Sequence, residues 1–335
     1  MLNYFIRRLG FVVFVARGVT LFTFLIAQVV PADPALAALG DHATDEMIAA
    51  FRTRNGLDKP VWVQYGLYVT RLVQGDLGTS LRTGRRITDD LGEFLPGTIE
   101  LSMAGLLIAA LLGIPAGVLA ALKQNKLPDL LVRLLSLIAG ATPVYWLAIL
   151  LLEYLHNKLG WLPGPGRLDA YLIAPTRITG MVGIDAIFAR DGEVWVDALR
   201  HMILPAFVLG ASSAALLARM TRSAMLETLS QDYVRTARAK GVSARVMTYK
   251  HAFRNAALPI LTVLGGVLGG LLSGAVLTET IFSWPGIGRY ATEAAVSLDF
   301  PAIMGVTLVA GLAYSLINLL VDLLYATLDP RISYG

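Results

Sequence analysis

The stretch from Asp232 to Pro259 is the part of the chain whose residue types best suit specific recognition. It is rich in lysine and arginine and too charged to cross a lipid bilayer. Tyr233, Ala237 and Gly241 recur four residues apart, which places them on one face if the segment is an α-helix. A short helix with a small, smooth face is suited to docking into a groove on a soluble partner. The same pattern leaves open a basic helix that lies on anionic lipid.

Covalent chemistry is not indicated by any residue pattern in the chain. There is no cysteine, which excludes disulfides, thiolate metal sites and thiol catalysis. The four histidines are scattered without an H-E-x-x-H pair, and no G-x-x-x-x-G-K-[ST] loop is present to hold ATP phosphates. No Ser-His-Asp set or pair of acids stands out. The sequence therefore predicts a chain that is not an enzyme on its own and binds no cofactor or metal, so its energy must come from elsewhere.

A glycine-rich apolar segment follows the basic stretch. Gly266, Gly270 and Gly274 are four residues apart and share one helical face. In an apolar helix of about 20 residues, such a face lets another helix approach closely. A nucleotide-binding glycine loop would need a strand before it and a helix after it, and neither is available. The sequence therefore predicts helix packing at these three glycines.

Ionisable and helix-breaking residues inside the apolar segments are few. Arg17, Glu153 and Asp322 are ionisable, and the two carboxylates could serve a proton relay or reach the membrane interface near a helix end. The sequence leaves open whether any of the three has a transport role. Four prolines can each kink a helix or mark its end: Pro115, Pro143, Pro205 and Pro259.

The elements that carry these residues follow from composition and apolar runs. Of the 335 residues 56% are hydrophobic and 16% are charged, whereas about 25% of a soluble domain is charged. A helix needs about 20 apolar residues to cross about 30 Å of hydrocarbon, and continuous runs favour helices over a barrel. The predicted fold class is an all-α, polytopic membrane protein. Its six transmembrane helices are Leu9–Val30, Leu101–Leu122, Leu134–Leu152, Met202–Ala218, Leu258–Leu277 and Ala302–Leu328.

Orientation follows from lysine and arginine in the short flanks of these helices. The net charge of +4 comes from short basic blocks between apolar runs, which orient a membrane protein and do not indicate nucleic-acid binding. The blocks precede the first span and lie between the second and third and between the fourth and fifth spans. With six crossings, these blocks and both termini are predicted to be cytoplasmic, and segments 31–98 and 156–200 to lie outside.

The two outside segments contain structured parts. Asp45–Arg54 and Trp62–Val73 have helical apolar spacing, and the proline and glycine residues of Trp161–Arg167 predict a rigid turn. The first span could instead be a signal peptide, with a possible cleavage site at Ala35-Leu36-Ala37.

Several motifs resemble those of one transporter family. R-T-A-R-A-K-G followed by H-A-F-R-N-A-A-L-P resembles the coupling-loop signature of binding-protein-dependent ABC importer permeases, in their dipeptide, oligopeptide and nickel branch. The resemblance covers nearly the whole chain and is closest to the dipeptide permeases. It includes Y-F-I-R-R-L-G, G-L-D-K-P-V-W-V-Q-Y, G-D-L-G-T-S-L, W-L-P-G-P-G-R, A-L-R-H-M-I-L-P-A, R-M-T-R-S-A-M-L-E, L-T-E-T-I-F-S-W-P-G-I-G-R and N-L-L-V-D-L-L-Y.

The resemblance implies a type I importer of the bacterial plasma (inner) membrane. Two homologous permease subunits would form one pathway through the lipid bilayer, and this chain would supply half of it. Two cytoplasmic P-loop ATPases would bind ATP and Mg²⁺, and an extracytoplasmic peptide-binding protein would deliver dipeptides or short oligopeptides. Nickel, glutathione or antibiotic peptides are alternative substrates within the branch. A secondary carrier and an intramembrane enzyme are alternatives from other classes, disfavoured by the missing mid-membrane carboxylates and catalytic sets.

Residue by residue, the resemblance implies ATPase coupling at Tyr233, Arg235, Ala237, Arg238, Gly241, Leu258 and Pro259. Arg235 and Thr236 stand where the general superfamily form has Glu and Ala, which bears on the identity of the partner ATPase. No residues of the substrate pathway are predicted. The predicted domains are an N-terminal helix with an external segment (1–97), the importer transmembrane domain with helices 2 to 6 (98–328) and a cytoplasmic tail (329–335).

Overall fold

The computed structural model describes residues 2–29, 43–273 and 275–328, whose regular secondary structure is helical apart from one bridge between Thr79 and Arg86. Two of the helices include a π-helical part, Leu152–Lys158 in α6 and Met247–Ala252 in α10. In chain order the helices are α1 (Leu2–Val29), α2 (Asp45–Asn55), α3 (Val61–Val73), α4 (Ile87–Leu122), α5 (Leu127–Ala141), α6 (Val144–Lys158), α7 (Val182–Ala189), α8 (Gly192–Leu229), α9 (Asp232–Ala239), α10 (Ala244–Leu272), α11 (Val276–Ile281), α12 (Ile287–Val296) and α13 (Phe300–Leu328).

Apolar length identifies the helices that can cross a membrane. Among the described residues, α4, α8, α10 and α13 are long and apolar enough, and α5 with α6 makes a fifth crossing if the bent pair is one span. The first predicted span lies in α1, whose apolar stretch Gly10–Ile26 is shorter. The predicted class, an all-α protein of several membrane-spanning helices, is confirmed.

The long helices extend beyond the predicted spans. α8 has 38 residues, which is about 57 Å at 1.5 Å per residue and well over the thickness of the hydrocarbon layer. α4 starts at Ile87, so the predicted domain boundary between residues 97 and 98 lies inside a continuous helix. Both helices therefore carry polar residues at their ends, outside the apolar stretch.

The third predicted span, Leu134–Leu152, is wrong as a single helix. The chain bends by 97° between α5 and α6. Thr142, the last residue before Pro143, is extended with φ −75° and ψ 122°. Proline lacks a backbone N–H, and its ring disfavours helical geometry in the preceding residue, so the helix ends there. Pro115, Pro205 and Pro259, in contrast, lie inside continuous helices.

The fifth predicted span, Leu258–Leu277, also differs from the structure. α10 begins at Ala244 and ends at Leu272, and Val276–Ile281 forms the separate short helix α11. Because a glycine-rich stretch has little side-chain bulk to support a helix and costs about 1 kcal/mol per glycine relative to alanine, an end in this region is physically reasonable.

The centre of the fold is the pair α4 and α8, which run parallel in close contact. A Cβ on Gly105 would lie 3.1 Å from Leu209 Cβ, and one on Gly117 would lie 2.6 Å from Thr221 Cβ. From the first contact to the second, the residue numbers rise along both helices, so the two helices run in the same direction. The chain must therefore return between them, through α5, α6 and the loop that follows.

The helices α2 and α3 confirm the two helical patterns predicted at Asp45–Arg54 and Trp62–Val73. α3 packs on α1, where the rings of Phe24 and Tyr65 lie 5.4 Å apart. Trp161–Arg167 has no regular structure, as predicted for a turn. The possible cleavage site at 35–37 and the predicted tail 329–335 lie outside the described residues.

Candidate coupling surface

The short helix α9 is attached to the rest of the chain along one side. Val234 is buried, with 1% of its surface exposed. Asn255 Nδ2, in α10, donates a 2.7 Å hydrogen bond to the Tyr233 hydroxyl. Arg235 and Arg238 are exposed, and Ala237 is half-buried. α9 is therefore held against α10 while its basic side projects outward, and we call the exposed side of α9 the coupling surface.

The predicted common face of Tyr233, Ala237 and Gly241 is wrong at Gly241. α9 ends at Ala239, and Gly241 lies beyond it with φ +78°. Its N–H donates to Arg238 O, and Val242 N–H donates to Ala237 O. Helices commonly end at a glycine in the left-handed conformation, where backbone N–H groups donate to the last carbonyl oxygens of the helix. Gly241 therefore ends the helix instead of extending its face.

Leu258 and Pro259 lie inside α10, not in the loop after α9. Leu258 is half-buried and Pro259 is exposed. The two predicted coupling stretches are joined by the hydrogen bond between Tyr233 and Asn255.

An open cleft of about 1000 Å³ lies between the end of α4 and the start of α10. Lys123, Arg245 and Lys250 are among its lining residues. These side chains add to the positive charge at the end of the helices that carries α9. We call this the basic end of the molecule.

A buried ion pair fixes the basic end of α8. Asp129 in α5 has no exposed surface, and Arg222 in α8 donates to both of its carboxylate oxygens, at 2.6 and 2.9 Å. Asn125 N–H donates to the same carboxylate, and Arg133 lies 3.5 Å away. Such a two-bond arginine–carboxylate contact fixes geometry as well as charge. It ties α5 to α8 ten residues before α9 begins.

Sequence reasoning missed this ion pair. The available signal was that Asp129 is the single acid in the basic segment 123–133. The partner, Arg222, is 93 residues away, so the pattern could identify a candidate for pairing but not its partner.

The glycines of α10 divide into two sides. Gly265 and Gly269 are buried and face Val321 and Tyr314 of α13. Gly266 and Gly270 are exposed, and a Cβ on either would meet nothing within 4 Å in the described part of the chain. Gly274 lies outside the described residues. At Gly266 and Gly270, the predicted face therefore does not pack against any of the described residues.

The ionisable residues that were singled out in the apolar segments lie at exposed or half-buried positions. Arg17 is exposed in α1. Glu153 accepts a 2.9 Å hydrogen bond from Asn157 and lies 3.7 Å from Lys158, near the end of α6. Asp322 is half-buried in α13. For Glu153, the surroundings are those of an exposed helix end.

The end of the bundle far from the basic end, which we call the opposite end, contains a buried polar network. Sequence reasoning also missed this network. Glu279 in α11 is fully buried and accepts a 2.7 Å hydrogen bond from Thr98 in α4. Trp284 Nε1 donates to Gly97 O at 2.8 Å. Burial raises the pKa of Glu279, although its hydrogen bonds with Thr98 and the backbone of Arg289 oppose that rise. The network anchors α11 and the turn after it on α4.

The fold is that of a multi-pass membrane protein with a short, exposed basic helix, α9, at one end. The family model "Binding-protein-dependent transport system inner membrane component" matches residues 113–334, and the model for its N-terminal part matches residues 1–102. The chain belongs to this family, the permeases of ABC importers. It is a permease subunit, and the ATPase of such an importer is on other chains.

Curated relatives align over almost the full chain. A probable D,D-dipeptide transport system permease of Escherichia coli K12 is 47% identical over 96% of this chain and 95% of its own. A dipeptide transport system permease of Alkalihalophilus pseudofirmus is 45% identical over the full length of both. A glutathione transport system permease of Salmonella paratyphi A is 36% identical over both full lengths. Among solved structures, a chain of the MetNI methionine ABC transporter has a TM-score of 0.50 and 14% identity, covering 71% of this chain and 96% of that one, and this likeness concerns the fold alone.

Proposed function

We propose that this chain is a permease subunit of an ATP-driven importer of dipeptides or short oligopeptides, and that it forms half of the transport pathway. The observation that carries the proposal is the 45–47% identity, over nearly the whole chain, with permeases named for dipeptide transport. The glutathione permeases, at 36% identity, make glutathione the second candidate substrate, since it is itself a small peptide.

The partners in this proposal follow from two exposed features. The coupling surface on α9, with Arg235 and Arg238 projecting from an anchored helix, suits a groove on one of two cytoplasmic ATPases that bind ATP and Mg²⁺. The open glycine face at Gly266 and Gly270 suits close packing against a second, homologous permease. An extracytoplasmic peptide-binding protein would deliver the substrate.

The proposed location is the bacterial inner membrane, with both termini in the cytoplasm. The basic end would then be cytoplasmic and the opposite end would face the binding protein. Residues 1–97 would form the first helix and external segment, 98–328 the transmembrane domain and 329–335 the tail.

Uptake by the complete importer tests the proposal. The importer, purified with its ATPases and second permease, is reconstituted into vesicles, and uptake of a labelled dipeptide is followed with ATP and binding protein present. Uptake that depends on both is expected. Competition by unlabelled glutathione stronger than by unlabelled dipeptide would transfer the assignment to glutathione, and an absence of peptide uptake would contradict it.

Charge reversal tests the coupling surface separately. We propose that the groove is acidic and so complements Arg235 and Arg238. The double variant Arg235→Glu/Arg238→Glu would then bring like charges together, and we expect at least about a tenfold loss of ATPase association. Lys126→Glu, also exposed at the basic end, is the control. If α9 lay only on lipid, ATPase co-purification would be the same in both variants.

A further inference from the structure

A cluster of three potential metal ligands lies near the start of α8, far along the helix from the coupling surface. Asp197 and His201 are on α8, and Asp169 is on the loop 159–181. Each side chain offers one ligand atom, and these atoms all lie within 4.8 Å of one another. Asp197 and His201 are buried, with 7% and 4% of their surface exposed. The Asp169 side chain is 42% exposed, so solvent reaches the cluster from that side.

The two ring nitrogens of His201 have different neighbours. Nδ1 lies 3.0 Å from the backbone oxygen of Asp197. Because a carbonyl oxygen only accepts, Nδ1 carries the proton, and Nε2 of the neutral ring carries a lone pair. Nε2 points at Asp169 Oδ1, 3.7 Å away, which is too far for a hydrogen bond. Nδ1 also lies 3.3 Å from Asp197 Oδ2. In the neutral ring, the lone pair of Nε2 faces Asp169 Oδ1 across a gap.

Among the described residues, His201 is the one basic side chain within 4.0 Å of the two carboxylates. Within residues 43–273, no lysine or arginine lies within 4.0 Å of Asp169 or Asp197; the nearby Arg167 pairs with Glu100 instead. A histidine lone pair and two carboxylates, with no lysine or arginine of the described residues within 4.0 Å, form a cluster suited to a cation.

We propose that Asp169, Asp197 and His201 bind a divalent transition-metal ion, with Zn²⁺ the best match. Imidazole nitrogen and carboxylate oxygen are both zinc ligands at about 2.0–2.2 Å, so two ligand atoms of a tetrahedral site are about 3.4 Å apart. The observed 3.7 Å between Nε2 and Asp169 Oδ1 is close to that value. A histidine that binds metal usually donates its other N–H to a carbonyl or carboxylate, as His201 does here.

The ion would fasten the loop to α8. Asp169 N–H already donates to Asp197 Oδ2 at 2.9 Å, and Arg167 on the same loop is paired with Glu100 of α4. With metal bound, the loop would be held to both central helices. This function is separate from peptide transport and does not depend on the identity of the substrate.

Metal titration of the purified importer tests the site. The complex, prepared without a polyhistidine tag and treated with a chelator, is titrated with ZnCl₂ in a calorimeter. We expect a saturable site on the wild-type permease chain, and affinity reduced at least about tenfold in Asp169→Asn and in His201→Gln. His156→Gln is the matched control, since His156 Nδ1 also lies near a backbone oxygen, 3.1 Å from Leu162 O, but His156 is outside the cluster. Zinc bound by partner subunits is common to all variants and cancels in the comparison.

Two results would overturn the proposal. One is an absence of saturable Zn²⁺ binding by the wild type, and the other is wild-type affinity in Asp169→Asn. Because Asp169 is half-exposed on a loop, this variant keeps the fold even if His201→Gln fails to assemble. The titration needs no peptide, so its failure is distinguishable from a failure of the proposed transport function.

Discussion

Gly241 contributes to the coupling surface through its backbone and not through its small size. Its φ of +78° lies in the left-handed region, which costs other residues about 1–2 kcal/mol. A Cβ at this position would meet nothing within 4 Å in the described chain. Asparagine enters this region more readily than most residues. The backbone at this position therefore has a conformation that glycine adopts at low cost and asparagine at a somewhat higher cost.

We predict that Gly241→Ala weakens ATPase association more than Gly241→Asn. The alanine variant should lose about 5- to 30-fold, the equivalent of about 1–2 kcal/mol, while the asparagine variant keeps most of the affinity. The measurement is co-purification of ATPase at matched membrane levels, with peptide uptake as a second readout. If the position is instead a tight steric contact with the ATPase, the larger asparagine would be worse than alanine.

Asp129 is the residue on which the basic end of α8 depends most directly. In Asp129→Asn, Arg222 keeps a hydrogen-bond acceptor but loses the opposite charge that offsets its burial. Loss of such a partner typically costs about 1–3 kcal/mol, so we expect a lower thermal midpoint for the detergent-purified complex. Glu153→Gln, which changes an acid in an exposed pair, is the control and should leave the midpoint unchanged. Equal midpoints for both variants would contradict a structural role for the Asp129–Arg222 pair.

At the scale of helices, two faces of small residues have the same spacing but differ in whether another helix packs against them. Gly105, Ala109, Gly113 and Gly117 are four residues apart on α4 and pack against α8. Gly266 and Gly270 have the same spacing on α10, but no described residue packs against them. Small residues let helix backbones approach closely, so the α4 face holds α4 and α8 together, while the α10 face is the one proposed above to pack against a second permease.

Alanine substitution should separate these two faces. In Gly113→Ala the new Cβ would lie 2.6 Å from Ala214 O. Overpacking of about 1–3 kcal/mol outweighs the gain in helix propensity of about 1 kcal/mol, so we expect less folded protein and a lower thermal midpoint. Gly266→Ala should leave the isolated chain as stable as the wild type, or more stable. Equal loss of folded protein in both variants would contradict the packing that the structure shows.

At the scale of the whole molecule, helix direction and charge both agree with the topology proposed above. The parallel run of α4 and α8 requires the chain to return between them. Lysine and arginine are concentrated at the basic end, which the positive-inside tendency places in the cytoplasm. The coupling surface and the Asp129–Arg222 pair then lie on the side where ATP is available, and the His201 cluster lies on the other.

Single introduced cysteines test this topology without background labelling, because the natural sequence contains no cysteine. We expect cysteines at Val73 and Ile173, which are 83% and 88% exposed, to react with an impermeant thiol reagent in intact cells. Cysteines at Lys126 and Ser243 should react only after the membrane is opened. Labelling of Ser243→Cys from outside would invert the proposed orientation.

Local patterns in the sequence were enough to locate several of the helices, although not all of their ends. Apolar runs identified the regions of α4, α8, α10 and α13, and helical spacing identified α2 and α3, because both signals depend only on residues within one element. The same reasoning located the basic stretch around α9 and the resemblance to importer permeases. It placed the end of α9 wrongly, because four-residue spacing says which residues share a face only if the helix continues that far.

Tertiary structure decided which faces are covered and which distant residues meet. Spacing identifies a small-residue face on α4 and another on α10, but only the packing of α4 on α8 shows that the first is covered within the chain. Asp129 and Arg222 are 93 residues apart, and Asp169 and His201 come from a loop and a helix. Such pairs form because the parallel helices and the 97° bend at Pro143 bring them together, and this geometry depends on the packing of the whole bundle.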